Sequence, residues 1–208
     1  MKIGGIVHRL ETCPSTNDAA RDLARAGEKG GTAVIARGQT SGRGTKGRAW
    51  HSALGKGLYV SFILRPRRGE LTLLPLAAGV AAVEAVFRSE GFAPLLKWPN
   101  DIVWEGKKLG GILCESESLA GETAFAVLGI GLNLNHEEKD FAADIRSSAA
   151  SLRMILGREV DVETVFRNLC VALDERYSEL EAGKSAEIVD AFQGKLVFRP
   201  RQVLTLSL

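Results

Sequence analysis

The sequence predicts an α+β fold in which a mixed or antiparallel sheet is flanked by helices. Three observations predict it. Thr32–Ala36, Leu58–Leu64 and Ala124–Leu134 are apolar, β-rich runs of strand length. Ile102–Trp104 and Lys108–Glu115 are joined through Glu105-Gly106 as a hairpin. Helical patterns stand beside these strands without the steady βαβ alternation of a doubly wound parallel sheet. A chain of 208 residues, 45% hydrophobic and 25% charged, suits one substantial domain with a real core.

In chain order, Ile3–Leu10 reads as a short strand. Ser15 opens a helix as N-cap, with Asp18 as its capping-box partner, and Gly27 ends it. The strand at 32–36 runs into a glycine- and arginine-rich loop, and the strand at 58–64 stops at Arg65-Pro66. Leu71–Ser89 is an alanine-rich helix closed by Gly91. Leu95–Trp98 is extended up to Pro99, and the hairpin and the strand ending at Leu134 come next. Ser147 or Ser148 opens a short helix ending at Gly157. Asp161 opens a longer one whose apolar positions 162, 165, 166, 169, 173, 177 and 180 share a face. A last helix covers Ala186–Phe192.

Composition narrows the function. The net charge is only +2, so general affinity for polyanions is not indicated. The apolar run from Leu71 to Phe87 carries Glu84 in a helical pattern, which argues against a membrane span. No export signal is read at the N-terminus. Cys13, Cys114 and Cys170 are odd in number and widely spaced, so neither disulfides nor a zinc site is expected, and a cytoplasmic location is. His8, His51 and His136 lack ligand spacing.

The charge that matters is local. Arg37 to Gly69 holds eight Lys/Arg and no acid. At its centre lies Gly42-Arg43-Gly44-Thr45-Lys46-Gly47-Arg48-Ala49-Trp50, whose glycines let backbone amides approach a ligand while the cations supply charge; a phosphate is the simplest ligand. The segment fits GxGxxG on paper, but residues 49–57 lead into a strand instead of a helix, so it is no dinucleotide fingerprint. It also lacks the Lys-Ser/Thr that ends a P-loop. A surface loop with scattered charges is the plain alternative. Lys97-Trp98-Pro99-Asn100-Asp101 holds polar groups at a strand end, although Asn-Asp also suits a simple turn. Lys108 begins a strand whose Gly110-Gly111 permits close approach, and Gly129-Ile130-Gly131-Leu132-Asn133 repeats that theme. Trp50, Trp98 and Trp104 read first as core residues.

Together these segments resemble the catalytic domain of biotin–protein ligases from about Thr12 to Gly194: Ser15-Thr16-Asn17, Gln39, the 42–50 segment, Lys97–Asp101, Lys108–Glu115 and Gly129-x-Gly131-x-Asn133 occur in the family's order. The resemblance implies a core like that of class II aminoacyl-tRNA synthetases, with a catalytic domain at 1–194 and a shortened remnant of an SH3-like domain at 195–208. It implies that biotin's carboxylate attacks the α-phosphorus of ATP to give biotinyl-5′-AMP, whose acyl group then passes to a lysine of a biotin carboxyl carrier protein. Arg43, Arg48, Lys108 and Asp101 are implied as catalytic. Ser15, Thr16, Asn17, Gln39, Arg43, Gly44, Thr45, Lys108, Gly111 and Leu113 would bind biotin; Arg43, Arg48, Trp50, Asn100 and Asn133 would face the nucleotide. Mg²⁺ would come with ATP, near Asn100 or Asp101. As a monomer or homodimer, the chain would bind neither DNA, there being no helix-turn-helix before the ligase segment, nor a membrane.

One departure is Thr45, where the family often carries a second Arg. Thr45 is expected to weaken retention of the adenylate, and a release rate unchanged by Thr45→Arg would refute this. The nearest alternative is a lipoate– or octanoyl–protein ligase; a nucleic-acid-binding module would need stacking aromatics among the cations, and only Trp50, Tyr59 and Phe62 fall there.

Overall fold

The computed structural model describes residues 2–67, 70–119 and 122–197. Seven strands form one sheet: β1 (Val7–Cys13), β2 (Ala33–Gln39), β3 (Gly57–Leu64), β4 (Leu95–Lys97), β5 (Asp101–Trp104), β6 (Lys107–Leu119) and β7 (Glu122–Asn133). Their order is β1-β2-β3-β7-β6-β5-β4. Only β1 and β2 are parallel, and every other pairing is antiparallel. The β5–β6 turn places Glu105 and Gly106 at φ 48° and 79°, the left-handed pair of a two-residue hairpin, which Gly106 makes cheap.

Period-two alternation divides β3 and β7 between two cores. Leu58, Val60, Phe62 and Leu64, with Ala126, Leu128, Ile130 and Leu132, face a large core built with α2 (Leu74–Glu90), α4 (Val162–Glu181) and α5 (Ser185–Gln193). Ile63, Phe125 and Val127 face α1 (Thr16–Arg25) on the other side, against Ala20 and Ala24. Helix α2 is long and apolar enough to cross a membrane, but eleven of its residues are buried inside the large core. Because α1 covers only one end of its face, the rest of that face is left for a site.

Several expectations are corrected. The first strand begins at Val7, and Ile3 instead plugs the large core after a turn through Gly4 and Gly5. Ser15 is the N-cap residue of α1, but its side chain makes no cap bond; Gln39 Oε1 accepts from Thr16 N at 2.8 Å instead, and Asp18 is drawn to arginines. The short helix α3 (Leu152–Leu156) is capped by Ser151, not Ser147 or Ser148, since Ser151 Oγ accepts from Met154 N at 3.1 Å. Trp98 is half exposed and touches Phe192 edge-on, so it is not a core residue. Of the expected C-terminal remnant, residues 198–208 lie outside the described residues, and Leu196 pairs with Leu96 on β4.

Candidate active site

Beyond α1, the exposed face of β6 and β7 loses its side chains: Gly111, Gly129 and Gly131 replace bulky residues in register. A Cβ on Gly129 would run into Asn17 Oδ1, and one on Gly131 would lie 2.7 Å from the Trp50 indole. The glycines thus open an inner compartment, floored by backbone and by Tyr59, with Ser15, Thr16, Asn17, Gln39, Leu113 and Lys108 around it. The helix N-terminus and β3 are tied together beneath it. Thr16 Oγ1 donates to Gln39 Oε1 (3.1 Å), and Ser61 Oγ lies 2.8 Å from Thr16 Oγ1 and 2.6 Å from Asn17 Oδ1. Asn17 Nδ2 donates to Glu115 Oε2 at 2.8 Å, and Gln39 Nε2 to Ser52 Oγ at 2.7 Å. One hydroxyl has one proton, so the Ser61 proton serves Asn17 or Thr16 at any moment. Each such bond contributes about 1 kcal/mol net, whereas an unpaired buried partner costs about 1–3 kcal/mol, so the network mainly fixes orientation.

Residues 42–50 form a small hairpin over this compartment: Trp50 N donates to Gly42 O (2.8 Å) and Gly44 N to Arg48 O (2.7 Å). Its tip turns at Lys46 and Gly47, at φ 59° and 71°. Arg43 does not point at an open anion site. Both of its terminal nitrogens donate to Asp18, Nη2 to Oδ1 at 2.7 Å, and Nη2 also lies 3.4 Å from Glu115 Oε2. Arg21 bonds the same two acids, at 2.7 and 2.8 Å. The Arg43 hydrogen bond holds the Asp18 carboxyl below its ordinary value, against the opposing effect of burial.

An outer compartment adjoins, sharing Gly44, Thr45, Trp50, Asn100 and Lys108 with the inner one. Lys46, Arg48 and Lys97 line it, and among the described residues none of these three makes an ion pair. Lys108 stands at the junction, its Nζ 2.6 Å from Asp101 Oδ1 and 5.5 Å from the Trp50 ring centroid. Trp50 is the partition, and its buried Nε1 has no partner. Behind it, Tyr59 donates to Ala53 O at 3.0 Å and therefore accepts from His136 Nε2 at 3.2 Å. His136 is fully buried and stacked on Phe141, and burial pushes its pKa down to about 4.

The residues read from sequence are therefore brought together, with different local commitments. Ser15, Thr16, Asn17, Gln39, Gly44, Thr45, Gly111 and Leu113 line the inner compartment, and Lys108 and Asp101 form a pair at its outlet. Arg48 lies on the outer wall only. Asn133 lines the outer compartment, but its Nδ2 donates to Ala150 O at 3.1 Å, and Asn100 Nδ2 donates to Ile112 O at 2.9 Å. Asp18, Arg21, Ser61, Tyr59 and His136 are functional candidates that sequence reasoning misses. Ser61 and Tyr59 are marked in sequence as the polar residues of the one β3 face that points away from Leu58, Val60 and Phe62. Nothing local marks Asp18, whose position suits a capping box equally well.

A sequence model of the biotin/lipoate A/B protein ligase family matches residues 10–133. The bifunctional ligase/repressor BirA of Bacillus subtilis is 36% identical over 170 residues, covering 79% of this chain and 51% of that protein. A biotin–[acetyl-CoA-carboxylase] ligase of Paracoccus denitrificans is 39% identical over 129 residues, covering 60% and 53%. The chain spans about half the length of these curated relatives. Among solved structures, the biotin protein ligase of Aquifex aeolicus in complex with biotin and ATP superposes with a TM-score of 0.81 at 30% identity, covering 93% of this chain and 79% of that one.

Proposed function

Because the chain belongs to the biotin/lipoate A/B protein ligase family, we propose that it activates biotin with ATP and transfers it to a lysine of a biotin carboxyl carrier protein. The observation that carries this reading is the pair of compartments meeting at Lys108: one uncharged overall and rich in hydrogen-bonding groups, the other rimmed with free cations. Biotin has a neutral ureido ring and an anionic tail, and ATP is a polyanion, so a joined biotinyl-adenylate spans the two. The relative from Aquifex aeolicus binds both.

In this reading the Gln39, Thr16, Asn17 and Ser61 network presents fixed donors and acceptors to the ureido ring, while Gly111, Gly129 and Gly131 let the ring approach the strands. Biotin's carboxylate reaches the junction. There the Lys108 ammonium exchanges Asp101 for the carboxylate and α-phosphate oxygens, stabilising charge that grows as the carboxylate oxygen bonds to phosphorus and pyrophosphate leaves. Arg48, Lys46 and Lys97 attract the leaving polyphosphate. In the second step the acceptor amine attacks the acyl carbon and AMP departs. Mg²⁺ fits as a passenger of ATP: among the described residues no cluster of three acidic or other metal-binding side chains exists, so Asp101 and Asn100 would offer at most two oxygens and the phosphates the rest. The three free cysteines suit a reducing cytoplasm. The chain would act as a monomer or homodimer.

The test is ATP–pyrophosphate exchange with biotin, lipoate or octanoate as the acid, then transfer of label to a purified carrier domain. Exchange driven by biotin alone is the expected result. Exchange driven by lipoate or octanoate would replace the reading with the sister activity of the family.

A further inference from the structure

The inner face of the hairpin carries one ion-paired side chain among the described residues, and it is Arg43. Lys46 and Arg48, on the same hairpin, are exposed and make no ion pair. Arg43 crosses from the hairpin to the first turn of α1, where Asp18 accepts both terminal nitrogens, and it approaches Glu115 on β6. Arg21 braces the two acids from the helix side, giving two acids and two arginines in one half-buried cluster. The remaining hold on the hairpin is Trp50 lying on Gly111 and Gly131. The cluster's cations and anions balance, so Arg43 has no net charge left over for a phosphate.

We propose that Asp18 is a positioning residue that latches the hairpin shut through Arg43, and that this latch keeps water from the acyl-adenylate. The structural half of this statement is independent of the reaction; the functional half rests on the reading proposed above. Water admitted to the adenylate would bond through its oxygen to the acyl carbon, the bond from that carbon to the phosphate oxygen would break, and biotin, AMP and a proton would be released. A latch between two partly exposed groups is worth a factor of roughly 5 to 10 in the open population, the range of a braced, bidentate pair.

Two readouts test this. The first is limited trypsin cleavage after Lys46 and Arg48 in the protein without ligands, which requires the hairpin to open. Asp18→Asn breaks the latch from the helix and Arg43→Gln breaks it from the loop, which is remote from the core; Asp22→Asn, an exposed acid on α1 whose side chain is 78% accessible, is the control. Cleavage roughly 5- to 10-fold faster in both latch variants, with the control like the parent, is expected. Cleavage rates equal to the parent in Arg43→Gln would overturn the latch even if Asp18→Asn failed to fold. The second readout is abortive release of biotin and AMP in the absence of acceptor. It should rise by a similar factor in the latch variants while formation of the first adenylate is kept; an unchanged leak overturns the functional half. If the parent forms no adenylate with biotin, the biotin reading fails while the trypsin result still decides the latch.

Discussion

His136 is buried neutral, and that sets an acid limit on the fold. Its Nε2 proton goes to Tyr59, whose own proton goes to Ala53 O, and Nδ1 is a buried lone pair with no partner. Protonation would place an N–H where no acceptor waits. Burial is the largest cause of its lowered pKa, and the nearby charges of His51 and Lys56 add to it against Asp140. Because the folded pKa is about 4 and the usual value is 6.5, the unfolded chain takes up a proton first as pH falls. The stability is complete above about pH 6.5 and is lost as pH falls toward 4. The full loss is about 3 kcal/mol at 1.36 kcal/mol per pKa unit, and about 2 kcal/mol is gone by pH 5. The acids with lowered values, such as Asp18, Asp140 and Asp161, give up their contribution only below about pH 4, so the window from 6.5 to 5 isolates the imidazole. Urea unfolding at pH 7.5 and pH 5.0, with His136→Gln alongside the parent, measures it. The parent should lose about 2 kcal/mol more than the variant; identical pH dependence in the two would refute the reasoning.

Gly129→Ala drives a methyl group into Asn17, breaking its bonds to Ser61 and Glu115; unfolding should cost about 1–3 kcal/mol less and biotin binding should weaken at least about tenfold by calorimetry. Unchanged affinity would mean that the inner compartment is not the biotin site. Lys108→Ala should lower adenylation by roughly 10²- to 10³-fold, measured as first-turnover pyrophosphate release, with Lys108→Arg only partly restoring it. Lys97→Glu reverses one free rim cation, so KM for ATP should rise several-fold at low salt and converge on the parent at high salt, with KM for biotin unmoved. An equal shift in both constants would show that the two compartments are not electrostatically separate.

Most of the fold is legible in the sequence because periodicity and punctuation agree. Gly91 and Gly157 end α2 and α3 in the left-handed conformation expected of them, and Asp161 caps α4 through Glu163 N. The first strand slips because Ile3 looks like a strand residue by itself and is in fact a core plug fixed by tertiary contact. The site's linings are legible as glycine-spaced motifs. Its charges are not: Asp18 reads as a capping-box acid, and only folding brings it to Arg43, 25 residues away. Trp50 reads as core for the same reason, since nothing in its neighbours tells that it will rest on glycines of β6 and β7.

The distribution of paired and unpaired charge explains how one small cleft can handle a neutral ring and a polyanion. Around the inner compartment Asp18 and Glu115 cancel Arg21 and Arg43, so its field is weak and recognition rests on hydrogen bonds of fixed direction. Around the outer compartment Lys46, Arg48 and Lys97 are left uncancelled, and their field draws anions there first. Lys108 lies between these regimes, and its pairing with Asp101 is partly exposed, with the two side chains 39% and 26% accessible. Such a pair is worth only about 1 kcal/mol or less, so a phosphate oxygen can take Asp101's place on the ammonium at little cost. That exchange frees the Asp101 carboxylate at the moment a second cation, whether carried by ATP or borne by the acceptor lysine, has to be held at the same junction.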